Sequence, residues 1–322
     1  MGTYLVRRCL QAVPLLIGIS IITFVMLQMA PGGPLAAGEG AASQASQAKL
    51  DALRASYGLN DPLPLQYLRW LGGILTGNWG MSFASGQPVL TAIGERVPAT
   101  LMLTGFSLII SLAFSLIIGV LAATQHRKLF DYLASGFSFA GLATPSFWLA
   151  IMLLYVFSFE LRLLPSSGLR DPRGRYEGLE AVLDTATHLI LPVLVLSIIS
   201  IASMTRYVRT SMLDVLGQDY MRTARGAGLP ERTVVLSHGL KNAAIPMVTI
   251  AVLSIPELFL GAAIVETVFS LPGMGRLFIE AADDRDYPVL LGILIIASVL
   301  VVVANLLADY LYARLDPRIR YE

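Results

Sequence analysis

Residues 206–246, RYVRTSMLDVLGQDYMRTARGAGLPERTVVLSHGLKNAAIP, separate two apolar segments and are both basic and helix-patterned. Leu213, Leu216, Tyr220 and Ala224 recur at helical spacing on one stripe, and Arg206, Arg209, Arg222 and Arg225 fall off it. That is the pattern of an amphipathic helix at a membrane surface. Gly226 and Gly228 end the helix, the second as a left-handed cap, and Pro230 with Glu231 opens the next one. The stretch therefore predicts a compact knob on the cytoplasmic face. The alternative is a solvated charged loop that only fixes topology through the positive-inside rule.

The composition around this stretch fixes the class. Of 322 residues, 55% are hydrophobic and 14% charged, with mean hydropathy +0.69, against roughly 25% charged in a soluble domain. This is the composition of an all-α integral membrane protein. A net charge of +1 argues against nucleic acid, which demands a dense basic surface. The single cysteine, Cys9, cannot form an internal disulfide, and the separated His126, His188 and His238 suggest interfacial residues, not a metal site.

Outward from the knob, the apolar runs predict six transmembrane helices. Arg7 and Arg8 precede the first, residues 9–29, which is too long for a signal-peptide core and long enough to cross roughly 30 Å of hydrocarbon. Residues 1–30 form the cytoplasmic N-terminus and this helix. Residues 31–98 form a long extracytoplasmic loop that opens with PGGP, passes an Ala/Ser/Gln-rich stretch at 41–48, and holds short helices at 50–57 and 65–74. Trp70, Trp79 and Phe83 suit interfacial anchors there. The core of five further helices occupies 99–322, with the basic, helix-patterned segment at about 206–242.

Within that core the second span covers 99–123, with Pro98 in its first turn. A basic turn, His126 to Lys128, leads to the third span, 133–159, where Gly141 and Pro145 predict a close crossing or a kink. The fourth span starts near His188 and runs into Arg206. The fifth, 243–269, carries Pro246, Pro256 and Glu257, and the sixth covers 289–308, leaving Arg314, Arg318 and Arg320 inside. Lys and Arg concentrate in the segments assigned to the cytoplasm, which places both termini there. Glu257 is the carboxylate nearest a span centre, so with Ser254 and Pro256 it is the candidate lining of a polar pathway; the alternative is a structural hydrogen bond.

No phosphate-binding loop, paired histidines or nucleophile elbow is present, so the chain reads as a non-catalytic transport component. Its motifs carry a resemblance: PGGP after the first span, GLNDPLPLQYLRWL at 58–71, GQPVLTAIGERVPATL at 86–101, TPSFWLAI at 144–151, LPSSG at 164–168, HLILPVL at 188–194, QDYMRTARGAGL at 218–229 and ETVFSLPGMGRL at 266–277. In this order and spacing they resemble the permease subunit of dipeptide and oligopeptide ATP-binding-cassette importers. The resemblance implies a coupling helix that docks into an ATPase subunit, carried by Gln218, Asp219, Tyr220, Arg222, Thr223, Ala224, Arg225, Gly228, Leu229 and Leu240. The wider importer pattern begins Glu-Ala-Ala and ends Leu-Pro; here only Ala224, Gly228 and Leu240 match it. Gly33 and Asn78 stand where the family often has Asp, and Pro230 where it has Ser.

The resemblance further implies a second homologous permease as heterodimer partner, two ATPases carrying ATP and Mg, an extracytoplasmic binding protein and a prokaryotic inner membrane. It implies no cofactor on this chain. Permeases of similar sequence carry nickel chelates, glutathione or oligosaccharides, and a secondary transporter or channel is the alternative from another class.

Overall fold

The computed structural model describes residues 2–29, 60–174 and 176–315. The PGGP turn, the 41–48 stretch, the helix expected at 50–57, Gly33, Arg318 and Arg320 lie outside the described residues. Among the described residues helices are the only extended regular elements, joined by turns and loops, with one isolated bridge between Met81 and Pro88. Its helices are α1 (Gly2–Gln28), α2 (Leu63–Leu75), α3 (Val89–Thr124), α4 (Leu129–Ala143), α5 (Ser146–Leu154), α6 (Leu179–Leu216), α7 (Asp219–Gly226), α8 (Glu231–Thr233), α9 (Ile245–Leu253), α10 (Ile255–Leu260), α11 (Ala263–Val268), α12 (Met274–Asp283) and α13 (Tyr287–Leu315).

Among the described residues five stretches are long and apolar enough to cross a membrane: Leu10–Gln28, Val89–Thr124, Leu179–Leu216, Glu231–Val268 and Tyr287–Leu311. The pair Leu129–Ala143 and Ser146–Glu160 meets the same criterion together but is bent by 98° at its break, the geometry of a broken span or a re-entrant loop. The bend sits where the sequence placed it. Pro145 forces Thr144 into extended backbone (φ −86°, ψ 120°) and itself caps α5. α5 then continues as a wide π-type turn, Tyr155–Glu160.

Several boundaries differ from the sequence reading, among them the start of α6, which lies at Leu179 and not near His188. α3 begins at Val89, capped by Pro88, so Pro98 lies inside the helix instead of in its first turn. Glu95 and Arg96 mask the apolar period there, although Val89, Ala92 and Ile93 are buried. The amphipathic helix expected from Arg206 is two helices: α6 runs through Arg206 to Leu216, and the chain turns at Gly217 and Gln218 before α7. The fifth span is a train of short helices: α8, a π-type turn Val234–Leu240, one turn Lys241–Ala243, then α9, α10 and α11. A proline needs no amide partner in a first turn, and Pro246 and Pro256 each stand in the first turn of their helix, α9 and α10. Gly261 (φ +76°) separates α10 from α11.

The core is the crossing of α3 and α6. Small residues on α3, among them Ser107, Ser111, Ser115 and Gly119, are buried and let the two backbones approach. Ser197 Oγ lies 3.4 Å from Ser107 Oγ, and a Cβ at Gly119 would sit 2.6 Å from Val208 Cβ. Gly141 gives α4 the same approach to α6, since a Cβ there would fall 2.5 Å from Ala202 Cβ. Apolar clusters close both ends of the crossing: Leu103, Leu191, Val195, Phe269 and Leu271 at one, Met204, Val208, Met212 and Met247 at the other.

At the end away from the knob, buried carboxylates stand in for missing caps. Gly273 has no side chain to cap α12. Glu266, fully buried, accepts a hydrogen bond from the Arg276 amide (2.9 Å) and one from the Thr100 hydroxyl (2.9 Å), while Thr100 Oγ1 accepts from the Met274 amide (2.7 Å). The Met274 and Arg276 amides in the first turn of α12 are thereby satisfied, the second directly by a negative group at the positive end of the helix dipole. A Cβ at Gly261 or Gly273 would come 2.3 Å from this carboxyl group, so both glycines make room for it. Asp286, just before α13, accepts from the Phe83 amide (3.0 Å), the Ala84 amide (3.3 Å) and the Ser82 hydroxyl, pinning the 82–86 loop to the last span.

The aromatics expected as interfacial anchors pack on protein. Trp70 lies 5.8 Å from the rings of Phe24 and Tyr67, and Trp79 and Phe83 cover the cluster around Val89 and Tyr287. Replacing Gly119 by Leu is expected to cost about 1–3 kcal/mol by overpacking the α3/α6 crossing and to lower the melting temperature in detergent. Gly105→Leu, at a position with nothing within 4 Å, is the control expected to leave that temperature unchanged.

Candidate functional site

The knob is built from residues with opposite fates on α7. Met221 is fully buried and Ala224 nearly so; with Val234 they form a small core covered by Val215 and Leu216. Gly239 lets the π-type turn pass close by, since a Cβ there would lie 3.3 Å from Met221 Cε and 3.5 Å from Met212 Cε. Gln218, Asp219, Tyr220, Arg222, Thr223 and Arg225 are exposed on the other side, as are Gly228 and Leu229 beyond the helix. Leu240 is half-buried and packs on the cluster containing Met212 and Met247. Of the sequence candidates, then, Ala224 and Leu240 hold the knob to the membrane helices and the rest form its free surface.

Two further features fix the knob. Gly228 adopts φ +79°, the left-handed conformation expected of it, and turns the chain between α7 and Pro230. Across that corner Arg225 grips Glu231 with Nη2 at 3.0 Å and Nε at 3.1 Å. The hydrogen bond to Glu231 raises the Arg225 pKa, against a smaller opposing effect of burial. The pair is exposed and adds little stability, but it closes the corner geometrically. Asn242 Nδ2 donates to Tyr220 Oη at 3.3 Å and to the His238 carbonyl at 2.9 Å, and Ser211 Oγ donates to the Ala243 carbonyl at 3.1 Å. These bonds tie the knob to both the fourth and the fifth spans.

Deeper along the same two spans lies a polar recess. A cavity of about 400 Å³ is lined by Ser200, Ser203 and Tyr207 of α6 and by Ser254 and Glu257 of the fifth span. A second cavity of about 210 Å³ adjoins it through Ser200, Ser254 and Glu257 and reaches Thr104 and Ser107 of α3. Glu257 is exposed into this space, Ser254 is partly buried with its hydroxyl on the Ile250 carbonyl (2.8 Å), and Pro256 is buried. Among the described residues no three His, Cys, Asp or Glu side chains converge as metal ligands.

Sequence reasoning missed several polar residues. Ser200, Ser203 and Tyr207 recur at i, i+3 and i+7, a visible periodicity hidden in an apolar run. Asp131 is buried and held by Arg209, with Nη2 at 2.9 Å, and by the Arg127 amide at 2.9 Å. It bolts the turn before α4 to α6 across 78 positions, and nothing local announces that partner.

Helices that cross a membrane, leave a hydroxyl- and carboxylate-lined recess on one flank and end in a clamped helical knob define a membrane transport subunit. The comparisons give its family. Residues 115–321 match the model of the binding-protein-dependent transport system inner membrane component, and residues 1–104 match that of its N-terminal region. The chain belongs to this family. It is 43% identical over 322 residues, all of both chains, to the oligopeptide transport system permease protein AppB of Bacillus subtilis. It is 37% identical, over 99% of both chains, to the dipeptide transport system permease protein DppB of Escherichia coli. A solved inward-facing methionine ATP-binding-cassette transporter, MetNI, has a chain of similar fold: TM-score 0.54, 16% identity, covering 70% of this chain and 97% of that one.

No atom lies within 4 Å of a Cβ built at Gly228, so only backbone strain opposes a side chain there. Gly228→Ala is expected to cost about 1–2 kcal/mol locally. Hydrogen exchange of residues 219–231 should accelerate while the melting temperature of the whole chain stays in place.

Proposed function

We propose that this chain is the permease subunit of an ATP-driven importer of dipeptides or oligopeptides. It forms half of the translocation pathway beside a second, related permease, with two ATPases binding Mg and ATP on the cytoplasmic face and a binding protein outside. The setting is a prokaryotic inner membrane, with both termini cytoplasmic. Full-length similarity to permeases named for oligopeptides and dipeptides supports the cargo. The observation that carries the mechanism is the clamped knob on α6 and the fifth span, with its exposed face of Tyr220, Arg222, Thr223, Gly228 and Leu229.

In this reading the exposed face of α7 sits in a groove of an ATPase. When ATP draws two ATPases together, the knob moves with them, and its buried Met221 passes the motion to α6. α6 also carries Ser200, Ser203 and Tyr207, so tilting it reshapes the recess that holds Glu257. A carboxylate in that low-dielectric space attracts the cationic groups of a passing peptide.

Two outcomes test this in the assembled complex reconstituted in vesicles. Gly228→Val, strained by about 1–2 kcal/mol or more, should leave the protein in the membrane but cut peptide uptake and peptide-stimulated ATP hydrolysis by roughly tenfold; normal rates would remove the glycine from the coupling path. Glu257→Gln should slow lysine-containing peptides more than neutral ones, and an equal effect on both would make Glu257 structural.

A further inference from the structure

A second site lies on the opposite side of α6 from the recess. Ser203 and Tyr207 face the recess, whereas Thr205, Arg206 and Arg209 line a cleft with Ala134, Ser135, Ser138, Phe139 and Leu142 of α4. At about 100° per residue, Thr205 stands about 200° from Ser203 and Arg209 about 200° from Tyr207, on a different face, while Arg206, about 60° from Ser203, reaches the cleft from the edge between the two faces. The cleft holds about 120 Å³ and is bracketed at one end by the Gly141–Ala202 contact and at the other by the Asp131–Arg209 ion pair.

Its polar groups are unspent. Ser138 Oγ and Thr205 Oγ1 are buried, at 4% and 1% residue exposure, and neither has a hydrogen-bond partner among the described residues. An unsatisfied buried hydroxyl is costly, and two sharing one cleft point to something that bonds them there. Arg209 is neutralised by Asp131, with His126 Nδ1 3.4 Å from its Nη2. Arg206 is exposed and makes no ion pair among the described residues, so it gives the cleft a net positive charge. At the same cleft Phe139 and Leu142 are exposed apolar side chains.

We propose that this cleft binds the headgroup of an anionic phospholipid of the cytoplasmic leaflet. The phosphodiester lies against Arg206, the Ser138 and Thr205 hydroxyls donate hydrogen bonds to its oxygens directly or through one water, and an acyl chain runs over Phe139 and Leu142. The cleft opens between two membrane-spanning elements near their basic turn, His126 to Lys128, where such lipids meet protein. A free phosphate would use the hydroxyls and Arg206 but leave the aromatic and leucine surface idle. The ligand would wedge α4 against α6 on the side away from the recess, so its binding is independent of which cargo passes through.

The test is native mass spectrometry of the full chain with its copurifying subunits, exchanged into phosphatidylglycerol, phosphatidylcholine or glycerol 3-phosphate. The wild type should retain phosphatidylglycerol selectively. Arg206→Gln should reduce retention about fivefold, and Thr205→Val, nearly isosteric and so expected to fold, should reduce it two- to threefold, on the order of one hydrogen bond. Equal retention of phosphatidylcholine, equal retention of glycerol 3-phosphate, or undiminished phosphatidylglycerol in both variants would overturn the proposal. So would a Thr205→Val protein that melts higher with unchanged lipid, since that is the behaviour of a cleft holding water or nothing.

Discussion

The burial of Met221 is the contact on which the rest of the architecture depends. A polar loop between two membrane spans would ordinarily be soft, with its own opening free energy near zero. Here Met221 fills a pocket made by Val234, Val215 and Leu216 and touches the chain at Gly239, beside Met212 of the fourth span. Burying such a side chain contributes about 1.5–3 kcal/mol, enough to make the knob part of α6 instead of a tethered peptide. The Arg225–Glu231 clamp and the left-handed Gly228 then fix the direction in which its exposed face looks.

Polar groups do the corresponding work at the other junctions. Glu266 caps α12, Asp286 anchors the 82–86 loop to α13, and Asp131 holds the basic turn to α6 through Arg209. Each of these carboxylates is buried and each is answered by amides, hydroxyls or a guanidinium, as burial of charge requires. The helices are therefore joined rigidly near their ends, whereas the fifth span is divided by prolines and Gly261. Rigid elements beside one jointed element suit a recess that must change shape while the bundle persists.

Much of this was legible in the sequence because lipid imposes simple rules. The lengths of the apolar runs give the spans, Pro145 gives the bend in the third, and Gly228 gives the left-handed corner, since each follows from sterics or backbone hydrogen bonding at that residue alone. The misses have a common origin. The turn at Gly217 was invisible because the apolar stripe of Leu213, Leu216, Tyr220 and Ala224 is continuous across it, and α3 begins early because Pro88 competes with Pro98 as a helix start. Arg209, which holds Asp131, and Thr100, which holds Glu266, lie 78 and 166 positions away, a pairing only the packed fold can specify. The hydroxyl face of α6 shows a helical period but no partner, so its role emerges only when Glu257 is seen across the recess.

The rigidity of the knob on α6 is the central claim, and a distance measured across that joint tests it most directly. With Cys9 replaced by Ser, spin labels at Arg222→Cys on α7 and Thr210→Cys on α6 can be read by pulsed electron resonance in the assembled complex, with and without trapped ATP. The account predicts one narrow distance distribution, unchanged by nucleotide. A broad distribution, or one that shifts when ATP is bound, would mean that the knob swings on α6, and the lever described here would not exist.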